Sequence, residues 1–349
     1  MTLWTNMKET DFLIIGAGQS GLSAARHLQK ADKDFIILEK HQEVGDNWRK
    51  NFDSMKLYTP ATFCSLPDLP MALSPTSLPN KNQVADYFSR YATHFDFPLH
   101  PKNQVTEINK VGEHFLVEST FEKISAKNII ISYGCLQKNH IPQWANSLNI
   151  PFIHSNQYRS PLSIKGKRVL VVGSGNTVAQ IIAELTAYFE VHWSTNEKPK
   201  FKSLNSFGKN KFFWDKKFNR LEKPLKEKKR NKTAPIYNFN DIRKKVKKAK
   251  FHPAVEKAEG NKITFTNQNS LDIDFVLFAT GNETYFDFIN IDGFENNLEE
   301  LRANHGISKI DGLYFLGIPH QRSRTSHLIY GAAKDAGFIV STSISKQKN

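Results

Sequence analysis

The chain has almost no cysteine: Cys64 and Cys135 are the only two in 349 residues, and they form no CxxC pair. That excludes a disulfide-stapled scaffold and argues against an internal dithiol relay, while a few isolated thiols fit a reducing, cytoplasmic compartment. No stretch approaches the ~18 consecutive apolar residues of a membrane-spanning helix, and Met1–Thr10 lacks the apolar centre of a signal peptide. The 12 histidines are dispersed without an HxH or HxxxH pair, so no metal is expected. Acidic residues are scarce in one place only. Residues 196–250 hold 20 Lys and Arg against 5 Asp and Glu, and the remainder is nearly balanced, so the formal net charge of +14 belongs to that segment.

What the chain does have is two glycine turns of one kind. Asp11–Ile15 is a short apolar run, followed by Gly16-Ala-Gly18-Gln-Ser20-Gly21 and then by Leu22, Ala25 and Leu28 at helical spacing. A first glycine permits the tight turn, a second lets the backbone approach a pyrophosphate, and a third lets helix and strand pack closely. The phosphates then sit at a helix N-terminus, where free N–H groups favour an anion. A second apolar run, Phe35–Leu38, ends in Glu39, which stands near the ~20-residue distance expected of a ribose ligand.

The pattern recurs at Gly173-Ser174-Gly175-Asn176-Thr177-Val178, after the apolar run Arg168–Val172 and before Ile181, Ile182 and Leu185. Val178 replaces the third glycine, which governs packing more than phosphate approach. The next strand, Val191–Trp193, ends in Ser194, Thr195 and Asn196 rather than an acid. With Lys198 and Lys200 nearby, these hydroxyls suit a 2′-phosphate, hence NADPH rather than NADH. Two dinucleotide sites in one chain imply electron traffic between a nicotinamide and a flavin.

The landmarks between and after these turns are Val44–Trp48, Phe52–Pro60, Phe63–Pro67, Asn80–Tyr87, Ile153–Tyr158, Phe278–Gly281, Asp311–Gly317 and Ser326–Gly331. In this order they resemble the flavin-containing monooxygenases, and within them the bacterial CzcO-like and plant YUCCA-like branch. The resemblance spans roughly residues 10–340, apart from the basic insertion. It implies FAD contacts at Gly16, Gly18, Gly21, Glu39 and Trp48, with Ser20, Lys40 and Asn47 beside them and Val105 facing the adenine. NADPH falls to Gly173, Ser174, Gly175, Asn176, Thr177, Ser194 and Lys198; Thr280 and Gly281 link the two domains, and Gly317 and Ser326 close over the flavin. The family's FxGxxxHxxxY element is matched only at His154 and Tyr158, with Leu148 and Ile150 in the other two positions.

The fold expected is α/β, with two doubly wound Rossmann-type dinucleotide-binding domains. An FAD-binding domain over 1–150 and 276–349 carries an inserted NADPH-binding domain over 151–275. The activity implied by the resemblance is an FAD- and NADPH-dependent monooxygenase. A flavin C4a-hydroperoxide formed from O2 would oxygenate a small nucleophilic or carbonyl substrate, with an NAD(P)H oxidase or reductase as the alternative. Tyr58 stands where many members place an Asn near the flavin edge, and Asn176 is the other catalytic candidate. Tyr58 also reads as a core aromatic, Asn176 as a helix N-cap, and His154 as a domain-linking hydrogen bond. The 196–250 segment reads first as a solvated insertion. Its interleaved aromatics leave a nucleic-acid or anionic-surface binder open, as does attraction of anionic NADPH.

Overall fold

The computed structural model describes residues 7–134, 138–224 and 235–347, so Cys135 and the basic run 226–230 lie outside the described residues. Strand β1 (Lys8–Ile15) is the axis of the first sheet. Its Phe12, Leu13 and Ile14 are wholly buried, each stabilising the fold by about 1.5–3 kcal/mol. Helix α1 (Gln19–Lys30) follows, then β2 (Phe35–Leu38), the short helix α2 (Asp46–Arg49) and α3 (Lys81–His94). A reciprocal capping box between Asn80 and Gln83 starts α3. Strands β3 (Leu99–His100), β4 (Val105–Val111), β5 (His114–Ser119) and β6 (Lys123–Ile131) complete this stretch. The sheet runs β3-β2-β1-β6-β5-β4. Strands β1, β2, β3 and β6 are mutually parallel, and β4 and β5 form an antiparallel hairpin beside them.

Strand β7 (Lys138–Asn139) leads into the second sheet. That sheet contains β8 (Phe152–His154), β9 (Arg168–Gly173), then after helix α4 (Asn176–Leu185) β10 (Glu190–Ser194). The basic segment adds β11 (Phe201–Ser203), the hairpin β12 (Asn205–Ser206) and β13 (Lys209–Asn210), helix α5 (Lys211–Lys217), β14 (Ile236–Asn238) and helix α6 (Ile242–Val246). Strand β15 (Lys250–His252) rejoins the sheet, a three-stranded meander over Val255–Asp272 follows, and β16 (Phe275–Ala279) is the last strand of it. The order is β15-β10-β9-β16-β8, all parallel. Strand β17 (Asn282–Glu283) pairs antiparallel with β7, so two chain segments cross side by side between the sheets. The chain then returns to the first sheet: β18 (Leu313–Phe315) pairs with β6, and helix α7 (Ile329–Lys346) packs on α1.

The parallel strands of each sheet are covered on both faces, as a doubly wound architecture requires. In the first, Phe12 and Ile14 face α1, α3 and α7, while Leu13 and Ile15 face the β4–β5 hairpin and residues 286–318. In the second, Val169 and Val171 face α4 and the basic segment, while Leu170 and Val172 face the meander.

Candidate functional site

The first glycine turn leaves the end of β1. Gly16 has φ +100°, and a Cβ there would lie 2.8 Å from the Ser132 carbonyl oxygen, so both conformation and space demand glycine. A Cβ on Gly21 would overlap the Gly16 carbonyl and lie 2.6 Å from Ser132 Oγ. A Cβ on Gly18 would meet nothing within 4 Å. The three glycines thus divide as expected into turn, open approach and close packing. Sequence reasoning missed Ser132, whose hydroxyl lies 2.8 Å from the carbonyl oxygens of both Ile15 and Gly16 and holds the turn. Nothing local marks that serine, because it stands just past the end of β6, far along the chain.

Glu39 is buried at the end of β2. Its Oε2 accepts from the Ala17 N–H at 2.8 Å, and Oε1 accepts from the His41 N–H at 2.9 Å, with His41 Nδ1 at 2.7 Å. Burial works to raise its pKa, but the hydrogen bonds from the His41 ring, Ala17 and the His41 backbone outweigh it and hold the carboxylate below its ordinary range. The N–H groups of Lys102 and Asn103 donate to the carbonyls of His41 and Glu39, which brings buried Val105 to the same end. Lys40 and Asn47 are exposed; Lys40 lies over the Tyr133 ring and Trp48 packs edge-on against Phe88. From the far end of the chain, Gly317 (φ +85°) passes so close to Ser20 that a Cβ would lie 2.9 Å from its hydroxyl. Ser326 is buried and engaged locally, its Oγ accepting from the Arg322 and Ser323 N–H groups.

The second turn repeats the first with different parts. Gly173 has φ +133° and abuts the Ala279 carbonyl of β16, and a Cβ on Gly175 would meet nothing within 4 Å. The Gly173 carbonyl accepts from Trp193 Nε1 at 2.9 Å, the counterpart of Ser132. Val178 is wholly buried in the α4 face of this sheet. Ser174, Thr177 and Lys198 are exposed. Ser194 departs from expectation: it is 0% exposed and its hydroxyl donates to the Pro253 carbonyl at 2.7 Å, so it is turned into the fold rather than toward a phosphate. The N-cap of α4 is Gly175, so Asn176 does not cap; its Oδ1 accepts from the Tyr237 N–H at 2.8 Å.

Through Tyr237, that bond connects Asn176 to the rings around the other catalytic candidate, Tyr58. The Tyr237 ring lies 5.1 Å from the Tyr58 ring, and Tyr58 also faces Phe212 at 6.1 Å. Phe63 gathers Phe212, Phe213 and Tyr330 around itself at 5.1–5.8 Å. Burial pushes the Tyr58 phenol up to about 12, with Tyr237 adding to it, and likewise pushes the Cys64 thiol up to about 12. The result is an aromatic compartment beside one buried, unreactive thiol. It also corrects the reading of residues 196–250 as merely solvated: Leu204, Phe212, Leu221, Ile236, Phe239, Ile242 and Val246 are buried, because this segment roofs the compartment and fills one face of the second sheet.

The crossing between the sheets is tied by Gly281. Its carbonyl accepts from the His140 N–H at 3.1 Å and faces His154 Nε2 at 3.1 Å, while His154 Nδ1 accepts from the Asn156 N–H. Burial lowers the His154 pKa, and the two contacts specify a neutral ring with its proton on Nε2. His154 therefore serves as a linker residue. Thr280 donates its hydroxyl to the His140 carbonyl in the same crossing.

The sequence profile of a family described as pyridine nucleotide-disulphide oxidoreductase matches residues 13–317. An uncharacterized CzcO-like oxidoreductase of Geobacillus kaustophilus is 33% identical over 338 residues, covering 95% of this chain and 97% of that protein. The "probable indole-3-pyruvate monooxygenase YUCCA8" of Arabidopsis thaliana is 26% identical over 93% of this chain and 86% of its own length. Among solved structures, a flavin-containing monooxygenase from Stenotrophomonas maltophilia superposes with a TM-score of 0.83 at 21% identity, covering 97% and 99% of the two chains. That likeness establishes the two-domain α/β fold.

Proposed function

The chain belongs to the pyridine nucleotide-disulphide oxidoreductase family and to its CzcO-like oxidoreductases, and from that premise we propose that it is an FAD- and NADPH-dependent monooxygenase acting on a small nucleophilic or carbonyl substrate. The observation that carries this reading is the aromatic compartment beside the second glycine turn, in which buried Phe63 and Phe212 pack against half-buried Tyr58 and Tyr237. Among the described residues the single cysteine, Cys64, is buried with its thiol pushed up, which does not suit a thiol relay, whereas oxygen transfer needs a dry, preorganised surround.

FAD, when bound, supplies the electron relay between nicotinamide and oxygen. The residues present fit it: the open approach at Gly18 admits a pyrophosphate to the start of α1, and Glu39 offers a buried carboxylate to a ribose. Gly175 gives NADPH the same approach on α4, with Lys198 on the exposed rim. Tyr58 keeps its phenolic proton throughout the physiological range, so it acts as a hydrogen-bond donor and not as a base. Phe63 and Phe212 exclude water. Asn176 positions Tyr237 and so sets the wall opposite Tyr58.

The test is product analysis. Flavin-loaded protein is supplied with NADPH, isotopically labelled O2 and a panel of thioethers, amines and ketones. Label in the organic product, in step with NADPH consumed, is expected. If every electron pair from NADPH appears as hydrogen peroxide or on an added quinone, the protein is an oxidase or reductase instead.

A further inference from the structure

The outer side of the roof has a feature that neither cofactor explains. The β12–β13 hairpin turns on Phe207 and Gly208, at φ +49° and +72°. A two-residue turn with both φ values positive favours Asn or Asp followed by Gly. Phenylalanine at its first position is disfavoured by its backbone conformation, and here it is also 95% exposed. Beside it, Trp214 meets Phe207 edge-on at 6.2 Å and stacks on Phe218, itself 51% exposed, at 6.5 Å. The Trp214 indole N–H donates to the Ser206 carbonyl at 2.7 Å, fixing helix α5 to the hairpin. Cations border this ridge: Lys217 lies over the Trp214 ring, Arg220 over the Phe218 ring, and exposed Lys209 flanks the turn. The one carboxylate within α5, Asp215, is buried and paired with Lys211 and, more loosely at 3.9 Å, with Arg220, whose guanidinium stays exposed.

We propose that Phe207, Trp214 and Phe218, with Lys209, Lys217 and Arg220, form a docking surface for an anionic phospholipid bilayer. A projecting aromatic tip framed by cations matches an interface that is apolar within and negatively charged at its edge. The rings pack on one another in a single ridge. Single-stranded nucleic acid instead requires separate ring faces on which successive bases stack. No helix of the described residues is long and apolar enough to cross a membrane, so this contact is peripheral. Helix α5 then has two faces: Trp214 toward the bilayer and Phe212 toward Tyr58, which places the compartment directly behind the docked surface.

The experiment is flotation of the full chain with vesicles of phosphatidylcholine alone, or of phosphatidylcholine with an equal part of phosphatidylglycerol, at low and high salt. Binding is expected to the anionic vesicles only and to weaken with salt. The F207S/F218S double variant should bind roughly tenfold less tightly or worse, and Lys209→Glu and Lys217→Glu should each cost roughly fivefold. These side chains are exposed, so the melting temperature should hold and report that each variant is folded. The proposal is overturned if the native chain floats with neither vesicle, if F207S/F218S binds as well as the native chain, or if a single-stranded oligonucleotide is preferred to the anionic vesicles. The readout is independent of catalysis, so it stands or falls apart from the monooxygenase reading.

Discussion

Two alanine substitutions three residues apart, at Gly18 and Gly21, should fail in opposite ways. Gly18 has φ −83° and ψ −171°, a conformation any residue adopts, and a Cβ there meets no protein atom. Gly18→Ala should therefore leave the flavin-free fold intact or stabilise it by about 0.4–1 kcal/mol, through the lost entropy of the unfolded chain. Any damage must come from what approaches that open face. A methyl group against a pyrophosphate should weaken FAD binding at least tenfold, about 1.4 kcal/mol. Gly21→Ala puts its methyl into the Gly16 carbonyl and 2.6 Å from Ser132 Oγ, so strand and helix must separate. That should cost about 1–3 kcal/mol of overpacking, before any cofactor is considered. Denaturant melts of flavin-free protein and FAD titration by fluorescence quenching separate the two effects. Gly18→Ala holding FAD as tightly as the native chain, or Gly21→Ala melting where the native chain does, would refute the assignment of roles.

Three further outcomes follow from the second sheet. Trp193→Phe removes the donor to the Gly173 carbonyl; it should cost about 1 kcal/mol in denaturant stability and raise the KM for the nicotinamide nucleotide while FAD content holds. Lys198→Glu should raise the KM for NADPH relative to NADH by roughly tenfold, about 1.4 kcal/mol; an unchanged ratio would remove Lys198 from the phosphate site. His192 Nδ1 and His252 Nε2 lie 2.8 Å apart, and burial, then His192 and Lys250, lower the His252 pKa from 6.5 to about 4. The unfolded chain therefore binds the extra proton between those values, so stability is lost as pH falls from 6.5 toward 4. His252→Gln should flatten that slope in melting temperature against pH, and an unchanged slope would assign it elsewhere.

The glycine turns were legible in the sequence because their constraints are local: strand, turn and helix lie within one short run, and each glycine's role follows from its place in it. Glu39 was legible for the same reason, as the residue closing β2. The partners were not. Ser132 reaches the Gly16 carbonyl from more than a hundred residues away, and Trp193 reaches Gly173 from the neighbouring strand. Neither residue type announces that it will satisfy a turn. Ser194 was misplaced because a hydroxyl at a strand end reads the same whether it faces a ligand or the Pro253 carbonyl. Strand alternation decides between them: Val191 and Trp193 fill the face shared with α4, which leaves His192 and Ser194 on the other.

The basic segment shows most clearly why composition misleads. Among its described residues the charged side chains lie mostly on the outer surface, and its buried residues, Leu204, Phe212, Leu221, Ile236 and Ile242, are spaced too irregularly for one helix or strand to signal them. They become a core only when placed against Phe63, Tyr330 and α4, on segments far apart in the chain. Such a roof cannot be removed without exposing the compartment: deleting Phe212 alone uncovers both Tyr58 and Phe63. Phe212→Ala should cost about 3–5 kcal/mol if its neighbours fail to collapse. It should also let water in, shifting NADPH consumption from product to hydrogen peroxide. Phe207→Ala, on the same short stretch but facing outward, should do neither. If both substitutions uncouple the reaction equally, the segment acts through its mobility and not as a wall. If neither does, the compartment is closed by other residues.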